Sequence, residues 1–284
     1  MITVERQPKV PITDIEQSAF CRTDESLEAK PLIEEFKAKV EWQKLPKDYI
    51  GLKPDELSER IAAARAKLGD QLMILGHHYQ RDEIIKFADF RGDSYLLSQH
   101  AAKQKEAEYI VFCGVHFMAE TADILTGPNQ KVILPNMKAG CSMADMAPTE
   151  DALDAWEDLK TVVTGGLVPV TYMNSTADIK ALCGRNEGIV CTSSNATEAF
   201  KWAFGRGEKI LFFPDQHLGR NTSLKLGIPL EEMVVWNPFK PLGGLTEDEI
   251  RNSKVILWQC HCSVHTRFTV KQINEAREKF PDVQ

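Results

Sequence analysis

From Leu72 onward, short continuous apolar runs alternate with stretches of helical periodicity. The apolar runs are Leu72 to Leu75, Tyr109 to Phe112, Val132 to Leu134, Val168 to Tyr172, Ile189 to Thr192, Ile210 to Phe213 and Val255 to Trp258. Helical spacing fills the gaps over Asp82 to Phe90, Ser94 to Lys105, Met118 to Leu125, Ala177 to Leu182 and Ala196 to Phe204. Parallel strand pairs need a crossover, and a helix is the usual one, so this alternation predicts parallel sheets covered by helices. The order strand, helix, strand, helix, strand occurs once from Leu72 and again from Val168, a repeat of architecture without an obvious repeat of sequence. The predicted fold class is α/β, with repeated αβα three-layer domains and short parallel sheets, two complete and a third incomplete.

The same pattern sets the expected domains. Residues 1–54 form an N-terminal appendage with one helical candidate, Leu27 to Gln43, where Leu32, Ile33, Phe36 and Val40 recur at helical spacing. Pro54 then starts a helix through Leu57 and Ile61 to Leu68. The first αβα domain is expected over 55–150 and the second over 151–252. A third is expected to open at 253–284, where the strand Val255 to Trp258 precedes a helix with Val270, Ile273, Ala276 and Phe280 on one face. A parallel strand and helix need a further strand to cover, so the sequence is expected to be cut short at its C-terminal end.

Composition narrows the class. At 284 residues and 43% hydrophobic content the chain can bury substantial cores. A net charge of -7 argues against a polyanion-binding surface, since nucleic-acid affinity needs clustered Lys and Arg; no nucleic-acid partner is expected. No apolar run approaches the roughly 18–20 residues of a membrane span, and Met-Ile-Thr-Val-Glu-Arg lacks the order of a signal peptide. A soluble, cytoplasmic protein is predicted, with no membrane association. Seven scattered cysteines suit reduced thiols or metal ligands better than a disulfide framework.

Open parallel sheets bind ligands at the carboxyl ends of their strands, and here those ends are rich in reactive groups. They carry His77-His78-Tyr79-Gln80; Cys113-Gly114-Val115-His116; Asn136 with Cys141; Tyr172-Met173-Asn174-Ser175; Thr192-Ser193-Ser194-Asn195; Asp215-Gln216-His217; and Cys260-His261-Cys262 with His265. After Val132-Ile133-Leu134, the pair Ala139-Gly140 is expected to turn the backbone tightly and present Cys141 before a helix. Hydroxyl and amide residues open helices at Asp93-Ser94, on an expected helix-to-helix turn, at Asn174-Ser175 and at Ser193-Ser194-Asn195. Each is an ordinary N-cap by itself, but three together could hold a small polyanion on free backbone N–H groups. Dispersed thiols point to one soft-metal centre assembled from distant strand ends, as in iron-sulfur proteins.

At these residues the chain resembles the quinolinate synthase family, iron-sulfur enzymes of NAD (pyridine nucleotide) biosynthesis, in its longer-chain subgroup. The resemblance runs through Gly-His-His-Tyr-Gln (76–80), Gly-Asp-Ser (92–94), Phe-Cys-Gly-Val-His-Phe-Met-Ala-Glu (112–120) and Ala-Gly-Cys-Ser-Met-Ala-Asp-Met (139–146). It continues in Thr-Tyr-Met-Asn-Ser-Thr (171–176), Thr-Ser-Ser-Asn-Ala (192–196), Pro-Asp-Gln-His-Leu-Gly-Arg-Asn (214–221) and His-Cys-Ser-Val-His (261–265). The set covers roughly 55–284 in the family's order. It implies a 4Fe-4S cluster on three cysteines, one per domain, of which Cys141 and Cys262 match two. The third, with a His-Pro-Glu-Cys segment and a later substrate-contacting Thr, has no match before Gln284, and Cys260 stands where the family usually has Gly.

By the same resemblance His77, Ser94, Tyr172, Met173, Asn174 and Ser193 bind iminoaspartate, and Tyr79 and His77 act as the acid/base pair. The implied reaction, a transferase-type condensation, joins iminoaspartate and dihydroxyacetone phosphate to give quinolinate, phosphate and water. L-aspartate oxidase or aspartate dehydrogenase would supply the imine. With two cluster thiols the chain as written is expected to be inactive. The alternatives are a truncated, non-catalytic remnant that binds a metabolite or partner, and a zinc-dependent lyase built on Cys260, His261 and Cys262.

Overall fold

The computed structural model describes residues 46–262, 265 and 269–282. The helical candidate Leu27 to Gln43 lies outside the described residues. The described chain groups into two compact units, one of 46–144 with 173–178, the other of 145–172 with 179–282.

The first unit opens with α1 (Pro54–Leu68), whose first turn has Pro54 at its start and Asp55 and Glu56 placed favourably against the helix dipole. Four parallel strands follow, β1 (Leu72–His77), β2 (Phe90–Gly92), β3 (Tyr109–Cys113) and β4 (Lys131–Ile133), in the order β2-β1-β3-β4. Three helices connect them: α2 (Asp82–Ile85), α3 (Ser94–Lys103) and α4 (His116–Leu125). Central β1 is buried from Met73 through His77, whereas the edge strands β2 and β4 are largely exposed. The register pairs Gly76 with Cys113 and His77 with Gly92, so the chemically loaded ends of three strands finish level with one another.

Two expectations for this unit change. Phe90 was placed at the end of a helix, yet it begins β2, and α2 is only a single turn. Asp89 overrides the local pattern: its carboxylate accepts the Ile74 N–H at 2.7 Å and its own N–H donates to Ile74 O at 2.8 Å, tying the segment to the edge of β1. The Arg65 guanidinium in turn bonds Asp89 and the Phe87 carbonyl. Cys141, expected before a helix, is followed instead by a turn over 142–145, and the next helix, α5, begins only at Thr149.

The second unit contains α5 (Thr149–Val162), β5 (Leu167–Tyr172), most of α6 (Ala177–Arg185), β6 (Ile189–Cys191), α7 (Ala196–Phe204), β7 (Lys209–Phe213), α8 (Gln216–Lys225), β8 (Met233–Trp236), α9 (Glu247–Asn252), β9 (Val255–Trp258) and α10 (Val270–Lys279). Its five strands are parallel in the order β6-β5-β7-β9-β8. The first three repeat the order β2-β1-β3 of the other sheet, so the architectural repeat is real. Strands β7 and β9 are buried along their whole length. Phe200 of α7 packs edge-on against Phe212 with ring centroids 5.3 Å apart, in a core shared with Val168, Val170, Ile210 and Leu257.

Here too one expectation is corrected. Val255–Trp258 does not open a third sheet; β9 inserts between β7 and β8, with Ile256 opposite both Leu211 and Val234. Trp258 is fully buried and donates its indole N–H to Met146 O at 2.8 Å, and the Lys209 ammonium, itself buried, donates to Arg251 O at 2.7 Å and to Ser253 O. These bonds satisfy buried polar groups that would otherwise be costly.

A methyl group at Gly76 would overlap Ile85 Cδ1 and lie 2.9 Å from Ala88 Cβ, because α2 crosses β1 at this point. Gly76→Ala is therefore expected to destabilise the first unit by about 1–3 kcal/mol through overpacking, read as a lower urea midpoint. An unchanged midpoint would show that α2 can retreat freely.

Candidate active site

The first unit gathers a cluster at the end of β1. His77 is the last residue of the strand and only 6% exposed. Its ring lies 4.0 Å from that of Tyr79 and 4.2 Å from that of His78, and the Tyr79 N–H points at His77 Nδ1 from 3.5 Å. Burial, reinforced by the neighbouring His78, lowers the His77 pKa to about 4, against a smaller opposing pull from Asp93. At neutral pH the imidazole is uncharged; with Nδ1 turned to the Tyr79 N–H, its proton sits on Nε2 as a donor.

Tyr79 is half exposed as a residue, but its hydroxyl lies 3.9 Å from Met118 Sδ of α4. Burial, reinforced by the nearby Cys141 sulfur, which disfavours a second negative charge, pushes its pKa up to about 12. The phenol thus holds its proton at neutral pH, next to a half-buried thiol. The loop that carries Cys141 is held by Asn136, whose carbonyl accepts from Ala139 N–H at 2.9 Å and whose side chain accepts from Lys138 N–H at 3.0 Å. Ala139 O in turn accepts the His116 N–H at 2.8 Å.

Ser94 is buried at the first position of α3, and Asp93 caps that helix by accepting the N–H groups of Tyr95 and Leu96, both at 2.9 Å. The turn is strand-to-helix, not helix-to-helix as the sequence pattern implied, since Gly92 ends β2 beside His77. Met173 and Asn174 also belong to the first unit, with Met173 buried. The N–H of Ala177, which starts α6, donates to Glu120 Oε2 at 3.0 Å, and Glu120 Oε1 lies 3.4 Å from His116 Nδ1.

Tyr172, Ser193 and Cys262 belong to the second unit. Tyr172 ends β5 level with Cys191, and exposed Ser193 follows β6 by two residues, so these two share one end of the sheet. Cys262 is buried beyond the end of β9, and hydrogen bonding to it raises the His265 pKa. Next to it, buried Asp215 caps α8 by accepting the Leu218 N–H at 2.6 Å, and Gln216 N–H donates to Cys260 O at 2.9 Å. Burial raises the Asp215 carboxyl, while burial and then His217 lower His261. The grouping needed for a zinc site does not form: among the described residues no three His, Cys, Asp or Glu side chains come close enough to share a metal ion, and Cys260 is buried beneath Met146 O.

A family model described as quinolinate synthetase A protein matches residues 59–284. The chain belongs to that family. It is 57% identical over 242 residues to the quinolinate synthase of Corynebacterium glutamicum, covering 85% of this chain and 61% of that relative. It is likewise 57% identical to the quinolinate synthase of a Nocardioides species, covering 84% and 63%, and 53% identical to that of Bacillus subtilis, covering 84% and 65%. The chain thus spans somewhat under two thirds of the length of these curated relatives. Among the described residues no helix is long and apolar enough to cross a membrane.

Sequence reasoning assigned no role to Met118 or Glu120, read Asp93 only as a helix opening and Asp215 only as a strand-end residue, although all four stand inside the matched segments. The lowered His77 pKa gives a direct check. Between pH 6.5 and 4 the unfolded chain binds a proton that the folded His77 refuses, so stability present above 6.5 is lost as pH falls through this window. The His77 ring signal in an NMR titration is expected to move with a midpoint near 4, and His77→Gln to flatten that part of the stability profile. A midpoint above 6 would place His77 in contact with water.

Proposed function

We propose that the protein condenses iminoaspartate with dihydroxyacetone phosphate to quinolinate, phosphate and water, within de novo NAD biosynthesis. The observation that carries this reading is the grouping of uncharged His77, protonated Tyr79 and the Cys141 thiol at the end of β1. Family membership and identity to named quinolinate synthases support the same activity.

In this reading His77, Ser94, Tyr172, Met173, Asn174 and Ser193 bind the dicarboxylate. The Nε2–H of His77 donates to a substrate oxygen without adding a charge, and Tyr79, which keeps its proton at neutral pH, serves as the acid that protonates a leaving hydroxyl. The donor set fits an iron-sulfur group: Cys141 is a half-buried thiol on a braced loop and Cys262 a buried thiol at a strand end, both soft ligands suited to iron. Cys141 and Cys262 would hold a 4Fe-4S cluster together with a third ligand. When bound, the cluster supplies a Lewis-acidic iron for a substrate oxygen. L-aspartate oxidase or aspartate dehydrogenase would supply the imine. A cytoplasmic location belongs to the same reading.

The test is an anaerobic quinolinate assay on the protein at its full natural length. Wild-type turnover is expected, and Tyr79→Phe should lower kcat by about 10²-fold or more while iron content stays the same. Absence of quinolinate from iron-replete wild type would overturn the function; unchanged turnover in Tyr79→Phe would remove Tyr79 from the chemistry.

A further inference from the structure

Three segments of the first unit that carry proposed site residues each meet one helix, α4. Its leading N–H, from His116, holds Ala139 O in the Cys141 loop at 2.8 Å, and Met118 Sδ faces the Tyr79 hydroxyl at 3.9 Å. One turn later, Glu120 Oε2 accepts the Ala177 N–H at 3.0 Å, three residues after Asn174. Positions 116 and 120 lie one turn apart on the same helix face, which brings His116 Nδ1 within 3.4 Å of Glu120 Oε1. Both side chains are mostly buried, at 22% and 16% exposure, so the carboxylate is held in one place.

The sequence pattern made the start of α6 a candidate for substrate anion binding. In the structure a carboxylate of the chain itself already occupies that position. An anion at a helix N-terminus meets unpaired N–H groups and the positive end of the dipole, so the contact is favourable and directional. The preceding residues are short-tethered to it: Ser175 is fully buried and its N–H donates to Met173 O at 2.9 Å, which leaves little slack between Asn174 and Ala177.

We infer that Glu120 is a positioning residue: by capping α6 it fixes the Met173-Asn174 segment of the substrate site, and the substrate's own carboxylates bind elsewhere than on the α6 N-terminus. The inference deepens the proposed function and rests on it for its kinetic consequence, while its structural part stands alone. Gln keeps an acceptor oxygen at the same reach as Glu, whereas Ala removes it, so the two variants separate the hydrogen bond from general damage.

Hydrogen exchange on the peptide spanning 173–178 and steady-state kinetics of the full-length protein test this together. Glu120→Ala should speed exchange in that peptide at least tenfold without affecting peptides of β1 and β3, and should raise the iminoaspartate KM about tenfold with kcat within threefold. Glu120→Gln should restore both to within threefold of wild type. Unchanged exchange in Glu120→Ala, or a Glu120→Gln protein that behaves like Glu120→Ala, would overturn the role of Glu120. Faster exchange with KM unchanged would overturn the link to substrate binding. Absence of quinolinate from the wild type would instead defeat the functional reading and leave the exchange result to judge the cap.

Discussion

The parallel register of the first sheet is the constraint on which the site depends. Because β1 pairs with β2 and β3 so that His77 faces Gly92 and Gly76 faces Cys113, three connections leave the sheet at one level. Each must turn at once into a helix or loop, and polar residues collect where the ladder stops. Gly76 permits this closeness, since α2 packs directly over the strand where any larger residue would collide. His77, the last residue of the same strand, is buried, and that burial is the largest cause of its lowered pKa.

Desolvation acts in opposite directions on the two neighbouring groups. It favours the uncharged imidazole of His77 and the protonated phenol of Tyr79, so both groups are neutral at pH 7. The carboxylate of Glu120 is set against a helix N-terminus, where it has a structural partner.

Much of this was legible in the amino-acid order. Strands β1, β3, β5, β7 and β9 are short apolar runs that cannot be anything else in a chain of alternating elements, and α7 fell where the pattern put it, from Ala196 to Phe204. What escaped were elements whose cause is not local. Strand β2 forms because Asp89 bonds both polar groups of Ile74, and β8, four residues long and only partly buried, is recruited by pairing with β9. The helix α9 carries a readable signal, the capping box of Thr246 and Glu249, that the hydrophobic pattern does not report. For the site, residue types at strand ends were visible, but the bonds among them were not: nothing in the spacing of Glu120 and Ala177 announces that they meet.

The central claim is that Cys141, beside Tyr79 at the end of β1, is a ligand of the iron-sulfur centre. Iron and acid-labile sulfide analysis of the full-length protein, reconstituted anaerobically, tests it most directly when wild type is compared with Cys141→Ser and Cys113→Ser. Cys113 is an internal control, a thiol of the same sheet whose pKa is raised by burial. The account predicts a 4Fe-4S complement in wild type and Cys113→Ser and its loss in Cys141→Ser. A full complement in Cys141→Ser would contradict it.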